Sequence, residues 1–427
     1  MCNHLISLLT NCIKTVEKQS LFKKRLKKHL YFKKMLSCAD LSALTNKSIP
    51  FTTKFLNELI KEGSVIETGF ANSTGGRRAQ MYSLKPDINY IITVAMDQYI
   101  TNMNILDMHN MPVTKDYKVE LPLQNNPHSL EQLRTNLTQF ISKSGIPAEK
   151  CIGIGISMPG FIDVKKGINH IFLNSGETNI INFIREEIDL PVLIDNDSSL
   201  IGLAEMRLGA AYNHKNVMVI NIGWGVGLGM ILDGELFRGH NGFAGEFSHI
   251  PVFKDNEKIC SCGKTGCLET ETSLLVIIEK AIQGLKKGRK SVLNNLSFDH
   301  LEESCEAIMD AAHKGDTFAV ELFSKAGYNL GLGIAILITL LNPELIVLSG
   351  RGAAAGKLWL APIQQAINEH CIPKIAEDIQ IKISTLGQRA ELIGAAALVM
   401  ENYATGYSGN NIMKMENETE NKKIRTA

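Results

Sequence analysis

The stretch that decides the fold runs Gly245-Glu-Phe-Ser-His249 and, after ten intervening residues, Cys260-Ser-Cys262-Gly-Lys-Thr-Gly-Cys267-Leu-Glu269. One imidazole and three thiols in this stretch can fill the four positions of a tetrahedral zinc ion: His249, Cys260, Cys262 and Cys267. A site with no position left for water is typical of structural rather than catalytic zinc. Gly263 and Gly266 permit the tight reversal that returns Cys267 to the metal. The alternative is a set of reduced thiols without a metal.

The other cysteines support the metal interpretation by their distribution. The chain has nine cysteines, and those outside the zinc stretch are scattered: Cys2, Cys12, Cys38, Cys151, Cys305 and Cys371. An odd number with one tight cluster fits a metal site in a reducing compartment better than a disulfide framework.

Length and composition predict an ordinary globular protein of two or three domains. The chain has 427 residues, of which 44% are hydrophobic and 21% charged. No stretch approaches the roughly 20 uninterrupted apolar residues of a membrane-spanning helix. The apolar run Leu5–Leu9 lacks the basic residues and the cleavage site of a signal peptide. We therefore expect a cytoplasmic protein without a membrane partner.

The net charge of +1 conceals an asymmetry between the two ends of the chain. Residues 1–85 hold 15 Lys and Arg against 5 Asp and Glu, whereas the remaining residues hold 30 against 39. A basic segment joined to an acidic one suggests that the first part binds a polyanion, although a solvated lysine-rich face would look the same.

The basic segment also has an ordered series of short elements. Residues 21–36 have helical apolar spacing, 38–45 form a short helix that Ser37 could cap, and 49–62 form a third helix that Gly63 ends. Two strands, 64–68 and 80–84, then flank a hairpin at 71–78 that contains Gly75-Gly-Arg77.

This order is that of a winged helix-turn-helix, and we call residues 21–86 the head. Its third helix would enter a major groove, and arginines on the hairpin would reach phosphates or a minor groove. The predicted DNA contacts are Lys47, Ser48, Thr52, Thr53, Lys54, Arg77 and Arg78. The alternative is a head that contacts only other proteins.

Beyond Pro86 and Asp87 the pattern changes to alternating strands and helices. Strand pairs, several rich in glycine, recur near 90–107 and 217–232, which indicates two α/β lobes with a cleft between them. We therefore divide the chain into an extension (1–20), the head (21–86), a two-lobed domain (87–403) with a zinc loop (249–269), and a polar tail (404–427) that we expect to be disordered.

The zinc stretch resembles the signature of the ROK family, which contains repressors and sugar kinases. The similarity spans roughly residues 90–402 and includes the stretches 153–160, Ile194-Asp-Asn-Asp197 and 341–350. The resemblance implies two actin-like lobes of the ribonuclease H-like ATPase type, with a sugar bound between them. The preceding head with its Gly75-Gly-Arg77 hairpin looks like the repressor branch.

The resemblance also implies which residues contact the sugar: Asn196, Asp197, Glu246, His249 and Glu269. Carboxylates and an amide suit this role because they donate to and accept from adjacent hydroxyls. In the family, His249 would touch both metal and sugar, so that structural zinc fixes the pocket wall. The alternatives are helix-terminus solvation for Glu246 and Glu269, and a turn and helix cap for Asn196 and Asp197.

Two departures from the family's kinases argue against phosphoryl transfer. Asp197 matches their catalytic base, but their Asp-x-Gly-Gly-Thr is here Asp97-Gln-Tyr-Ile-Thr101, without a glycine for a phosphate to approach. Their Gly-Thr-Gly is here Gly223-Trp-Gly225, and we expect the indole to crowd the nucleotide cleft. Glycines 225, 227 and 229 are more simply explained by close strand packing.

These inferences favour a non-enzymatic, sugar-responsive transcriptional repressor of carbohydrate metabolism. We expect it to bind operator DNA as a homodimer or dimer of dimers, and to respond to a sugar or sugar phosphate. The first alternative is an ATP-dependent hexose or N-acetylhexosamine kinase with an appended head, in which Asp197 would be the catalytic base.

Overall fold

The structure is a computed structural model that describes residues 2–71, 78–173, 178–255 and 257–405, with side chains described from residue 16 onward. It divides into two compact units. The first combines Met1–Ile194 with Ala395–Ala427, and the second is Asp195–Gly394. Arg77, the stretch 174–177 and the tail from 406 onward lie outside the described residues, so the expected disorder of the tail stays a prediction.

The head has the order of elements that the sequence predicts. These are α1 (Cys2–Lys33), β1 (Leu36–Ser37), α2 (Cys38–Thr45), α3 (Ile49–Lys61), β2 (Val65–Phe70) and β3 (Gln80–Leu84). The three strands form an antiparallel sheet in the order β1-β3-β2. Ser37 caps α2 as expected: its hydroxyl accepts from the Asp40 N–H, and the Asp40 carboxylate accepts from the Ser37 N–H.

The first helix is longer than the sequence pattern indicated. It begins at Cys2 rather than at residue 21, because no glycine or proline interrupts residues 1–20. It ends at Lys33, and Lys34 adopts a left-handed backbone with φ 62°. The apolar spacing over 21–36 located the part of the helix whose Phe22, Leu26 and Leu30 pack into the head's core.

The head and the first sheet of the two-lobed domain share one hydrophobic core. Its buried members come from α1, α3, the first sheet and the last helix, and include Phe22, Leu26, Leu30, Phe55, Leu59, Ile91, Leu106, Val399 and Met400. Polar contacts add to it: Lys28 Nζ lies 2.5 Å from Glu401 Oε2, and His109 Nε2 lies 2.9 Å from the Leu84 carbonyl oxygen. The head therefore packs as part of the first unit, while the boundary at 86 and 87 remains a prediction.

The first unit's larger sheet has the strand order β10-β7-β4-β5-β6. Its strands are β4 (Tyr90–Met96), β5 (Ile100–Asp107), β6 (Tyr117–Glu120), β7 (Cys151–Met158) and β10 (Val192–Asn196), and β8 (Ile162–Asp163) pairs separately with β9 (Ile168–Asn169). β4 runs antiparallel to β5 and parallel to β7. The helices α4 (Ser129–Ser144) and α5 (Ile180–Arg185) belong to the same part of the chain.

The second unit is built on a sheet with the order β13-β12-β11-β14-β15. These strands are β11 (Val217–Ile222), β12 (Val226–Leu232), β13 (Glu235–Phe237), β14 (Leu345–Ser349) and β15 (Gln380–Ile383). The helices are α6 (Asp197–Leu208), α7 (Glu269–Thr272), α8 (Leu274–Lys286), α9 (Leu301–His313), α10 (Thr317–Leu341), α11 (Lys357–His370) and α12 (Pro373–Ala376); α13 (Ala390–Asn402) ends in the first unit.

The glycines of β12 let α6 approach the sheet closely, as the sequence predicts. A Cβ on Gly229 would lie 2.7 Å from the Ser198 carbonyl oxygen, and one on Gly227 would overlap the Ser198 hydroxyl. No larger residue fits at either position without moving the helix that carries Asn196 and Asp197 at its start.

Helix α10 is long and apolar enough, by length and composition alone, to cross a membrane. From the sequence we expect no such helix. Its apolar window is 56% buried within the protein, and it packs along α11, where Phe323 meets Trp359 at 5.3 Å between ring centroids. In this structure α10 is a core helix of the second unit.

Candidate functional site

The four predicted metal ligands come together in the second unit. Their ligand atoms, from His249, Cys260, Cys262 and Cys267, all lie within 4.8 Å of one another. The His249 Nδ1 lies 3.4 Å from the Cys260 Sγ, and the Cys262 Sγ lies 3.6 Å from the Cys267 Sγ. Zinc bonds of about 2.3 Å to sulfur and about 2.0 Å to nitrogen give tetrahedral edges of about 3.5–3.8 Å. The donor set and its spacing therefore fit zinc.

Short backbone pairings bring these ligands together. A 3-10 turn (Phe247–His249) presents the imidazole, and isolated bridges pair Pro251 with Cys267 and Ile259 with Thr265. Gly266 has φ 77°, and a Cβ there would lie 2.5 Å from the Phe253 carbonyl oxygen. Glycine is thus required at this reversal, as the sequence predicts for Gly266.

Burial of the cluster affects thiol protonation. Cys267 is fully buried, and this burial together with the neighbouring thiols raises its pKa to about 12. Without a metal its thiol would hold the proton at neutral pH. A metal ion would have to displace that proton, so metal binding at this cluster would release protons and depend on pH.

His249 connects the thiol cluster to a group of carboxylates. Its Nδ1 faces Cys260, while its Nε2 lies 3.8 Å from the Glu246 Oε2. Burial, followed by the nearby carboxylates of Asp197 and Glu269, raises the pKa of Glu246 to about 7. Glu246 therefore lies close enough to two other predicted sugar-contacting carboxylates to be repelled by them, with the imidazole beside it.

Asn196 and Asp197 stand at the start of α6. The Asn196 Oδ1 accepts from the N–H groups of Ser198 and Ser199 at 3.0 and 3.2 Å, and the Asp197 Oδ1 accepts from the Ser198 N–H at 2.6 Å. The capping role that the sequence left as the alternative is therefore present for Asn196, which is the N-cap of α6, while Asp197 is the first residue of that helix. These hydrogen bonds fix the direction of both side chains at the helix start.

Glu269 joins the zinc loop to the strand turn that follows β11. Its Oε2 accepts from the Val226 N–H at 3.3 Å, and its Oε1 lies 3.9 Å from the Cys260 Sγ. A Cβ on Gly225 would lie 2.5 Å from the Glu269 Oε2. Gly225 therefore makes room for this carboxylate, a role different from the strand packing that the sequence suggested.

A charged pair that the sequence analysis did not single out lies next to this group. The Arg238 Nη2 lies 2.6 Å from the Oδ2 of Asp195, whose side chain is only 4% exposed. Asp195 belongs to the quoted stretch Ile194-Asp-Asn-Asp197, so its position was visible, but its partner is 43 residues away. The pair neutralises the Asp195 carboxylate beside Asn196.

The two loops predicted from the sequence to depart from the kinase pattern have their own internal partners. The Asp97 Oδ1 accepts from the N–H groups of Tyr99 and Ile100, both at 2.8 Å, so these amides are not free for a phosphate. The Trp224 side chain, expected in the cleft, is instead only 6% exposed within the core, and the Arg351 guanidinium lies 4.3 Å from its ring centroid.

The head exposes most of the predicted DNA contacts. Lys47, Ser48, Thr53, Lys54 and Arg78 are exposed, whereas Arg77 lies outside the described residues. Thr52 is fully buried, so its side chain cannot reach a base in this conformation, and the prediction for Thr52 is wrong. The exposed face of α3 instead includes Asn57, which the sequence analysis missed although it lies one turn beyond Thr53.

Comparison with known proteins places this architecture among sugar kinases and regulators. Residues 100–402 match the ROK family model. A glucokinase of Halalkalibacterium halodurans is 35% identical over 331 residues, which is 77% of this chain and 96% of the relative. A xylose repressor of Caldicellulosiruptor bescii is 28% identical over 375 residues, which is 86% of this chain and 92% of the relative.

A solved structure of a regulator aligns with almost the whole chain. The crystal structure of a ROK family transcriptional regulator, described as a homolog of the E. coli MLC protein, aligns with a TM-score of 0.71 and 26% identity. The alignment covers 92% of this chain and 99% of that one. Because the family model matches most of this chain, the chain belongs to the ROK family.

Proposed function

We propose that this chain is a sugar-responsive transcriptional repressor that binds operator DNA through its head. The observation that carries the proposal is the extent of similarity. The glucokinase matches 77% of the chain, whereas the xylose repressor matches 86% and the solved ROK regulator 92%. The regulators therefore match a larger share of this chain than the glucokinase does. The head is the part of the chain that a kinase does not need.

The charge and packing of the head support DNA binding. Its segment is strongly basic. Exposed Lys47 lies on the turn before α3, Lys54 lies on α3, and Arg78 lies two residues before β3. Its core is continuous with that of the first sheet, so a change in the two-lobed domain could reach the DNA-binding surface through packed side chains. A homodimer would present two heads to a two-fold operator, in the cytoplasm where such DNA lies.

The effector is a sugar or sugar derivative, contacted by Asn196, Asp197, Glu246, His249 and Glu269. Structural zinc, held by His249 and the three loop cysteines, would keep the imidazole in place beside the Glu246 carboxylate. The zinc supplies loop order, not chemistry. Sugar binding alters operator affinity only through a difference in sugar affinity between the two states of the repressor.

The absence of kinase activity is part of the proposal. Phosphoryl transfer requires backbone amides and a metal-bound nucleotide held in line with the sugar hydroxyl. The amides of Tyr99 and Ile100 are used by Asp97, and Arg351 covers the Trp224 ring and pairs with Glu302 at 2.7 Å. The Asp97 contacts therefore occupy two amides that a nucleotide phosphate would otherwise use.

Fluorescence anisotropy with DNA from upstream of the chain's own operon tests the proposal. We expect sequence-dependent binding that a cognate sugar changes several-fold and that weakens steeply with salt. No affinity for that DNA would contradict the repressor assignment. Binding without any salt dependence would point to a head that contacts proteins instead.

The second candidate is an ATP-dependent sugar kinase with an appended head. Its support is the 35% identity to a glucokinase and the aspartate at position 197. A coupled phosphorylation assay across common hexoses and N-acetylhexosamines separates the two functions. Robust turnover that the Asp197→Asn variant abolishes would favour the kinase.

A further inference from the structure

Helix α3 presents one exposed polar stripe at its solvent side. Pro50, Thr53, Lys54, Asn57 and Lys61 are all exposed, and their spacing of three or four residues places them on one face. The opposite face is buried through Thr52, Phe55, Leu56 and Leu59. The structure therefore fixes which side of the helix is free to enter a DNA groove.

Aromatic packing holds α3 in this rotation. The Phe22 ring of α1 lies 5.1 Å from the Phe55 ring and 5.0 Å from the Phe51 ring, both between centroids and near edge-to-face. Such contacts at one end of the helix prevent it from turning without loss of the head's core. The exposed stripe is thus a fixed feature of the first unit.

Glu58, in α3, and Glu62, directly after it, pair with a lysine of α1. Lys23 of α1 pairs with the Glu58 Oε2 at 2.8 Å and with the Glu62 Oε1 at 2.6 Å. Its two partners are therefore directed toward α1. This leaves Lys54 and Lys61 as the charged residues of the stripe, which suits a surface that faces phosphates.

Two side chains in the middle of the stripe differ in what they can offer a base. The Thr53 hydroxyl donates to the Ile49 carbonyl oxygen at 2.8 Å and lies 3.2 Å from the Cys38 Sγ, so it is already occupied within the head. The amide of Asn57 makes no hydrogen bond within the part of the chain that the structure describes. It retains both a donor and an acceptor, which is the pair that matches the N7 and N6 positions of adenine.

We propose that Asn57 is a specificity-determining residue that pairs with an adenine in the major groove of the operator. The proposal rests on the DNA-binding function proposed above. Asn57 would accept from the adenine N6 amino group and donate to N7, while the Thr53 methyl would contact a neighbouring thymine methyl. Lys54 and Lys61, on either side along the stripe, would contact phosphates and contribute affinity without base preference.

Selection from a randomised duplex library with the full-length protein supplies the DNA for the test. The enriched duplex is then resynthesised with 7-deazaadenine at one adenine at a time, which removes the N7 acceptor. For the unaltered protein we expect one adenine in each half-site at which this replacement weakens binding clearly. Asn57→Ala should lose about 5- to 150-fold in affinity for the enriched duplex, the range for a bidentate amide–adenine pair.

Lys61→Ala is the matched control on the same exposed stripe. It should weaken binding to all sequences alike, reduce the salt slope, and keep the same 7-deazaadenine profile. The Asn57→Ala variant should instead become insensitive to the 7-deazaadenine replacement, at one adenine only. Alanine favours an exposed helix over asparagine, so this variant is expected to fold, and its circular dichroism spectrum verifies that.

The outcomes distinguish a failure of the role of Asn57 from a failure of the proposed repressor function. Equal affinity of Asn57→Ala and the unaltered protein, or an unchanged 7-deazaadenine profile in the variant, would overturn the role of Asn57 while leaving DNA binding intact. If the unaltered protein enriches no sequence at all, the proposed repressor function fails, and the role of Asn57 fails with it.

Discussion

The hydroxyl of Tyr31, in the head, donates a buried hydrogen bond to the Oδ1 of Asn110, in the loop after β5. Tyr31 is only 2% exposed, and burial raises its pKa, so the phenol remains a protonated donor. Asn110 has φ 64°, a left-handed conformation that asparagine tolerates better than most residues. The two residues join the head to the first sheet inside one hydrophobic core.

Replacing Tyr31 by phenylalanine should weaken this connection. The change leaves the ring in place but removes the buried hydrogen bond to Asn110, and such a bond contributes about 0.5–1.5 kcal/mol to stability. Urea denaturation of the full chain should show a lower free energy of unfolding. Tyr99→Phe is the control, because Tyr99 is partly exposed on a hairpin turn and should unfold as the parent does. Equal stability of Tyr31→Phe and the parent would contradict the prediction.

Removal of one thiol should release the metal and reduce the sugar response. Cys262→Ser leaves three of the four donors, so the zinc content measured by atomic emission should fall from about one ion per chain. The thermal shift on adding a cognate sugar should shrink, because His249 loses its fixed position. Thr265→Ala, an exposed change in the same loop, should retain both properties. A Cys262→Ser protein with a full sugar response would show that zinc does not shape the sugar site.

A methyl group at position 225 should displace Glu269. The added Cβ would lie 2.5 Å from the Glu269 Oε2, closer than real contacts allow. Gly225→Ala should therefore lose about tenfold or more in sugar affinity, as expected when one paired polar contact is broken. In Gly223→Ala the nearest atom to the new Cβ is 3.7 Å away, an ordinary contact, so this control should bind normally. Isothermal titration calorimetry measures both, and equal affinities would remove Glu269 from the site.

Loss of the arginine at position 78 should lower the salt dependence of DNA binding. If Arg78 contacts a phosphate, Arg78→Ala should reduce the slope of log affinity against log salt by about 1 and weaken all sequences alike. Lys143→Ala, also exposed but outside the head, should leave the slope unchanged. A changed base preference in Arg78→Ala would show instead that this arginine contacts a minor groove.

Lowering the pH should remove the contribution of Glu344 to the stability of the fold. The N–H groups of Asn216 and Lys215 donate to its carboxylate and hold its pKa at about 2, below the ordinary 4.5. A lowered folded-state pKa stabilises the fold above pH 4.5 and loses that effect as the pH falls toward 2. The melting temperature of Glu344→Gln should be lower than the parent's at pH 7 and approach it below pH 4.5. Glu131→Gln, on an exposed helix surface, should show no such difference; a gap independent of pH would contradict the prediction.

The sequence alone located the parts whose chemistry depends on residue type and spacing. A histidine and three cysteines with two glycines between them define a zinc-type donor set wherever the backbone can reverse, and the structure brings those four ligand atoms within 4.8 Å. The order of elements in the head was equally predictable, because Ser37 begins α2 and Gly63 ends α3 by local interactions.

Side-chain direction was decided only by tertiary packing. Thr52 and Asn57 are both polar and both lie on α3, yet one is buried and the other exposed, because the rings of Phe22 and Phe55 fix the helix's rotation. The Trp224 indole likewise packs into the second unit's core, although its place in a phosphate-loop pattern suggested the cleft. Local sequence sets which groups are available, and long-range burial of apolar surface sets where each of them points.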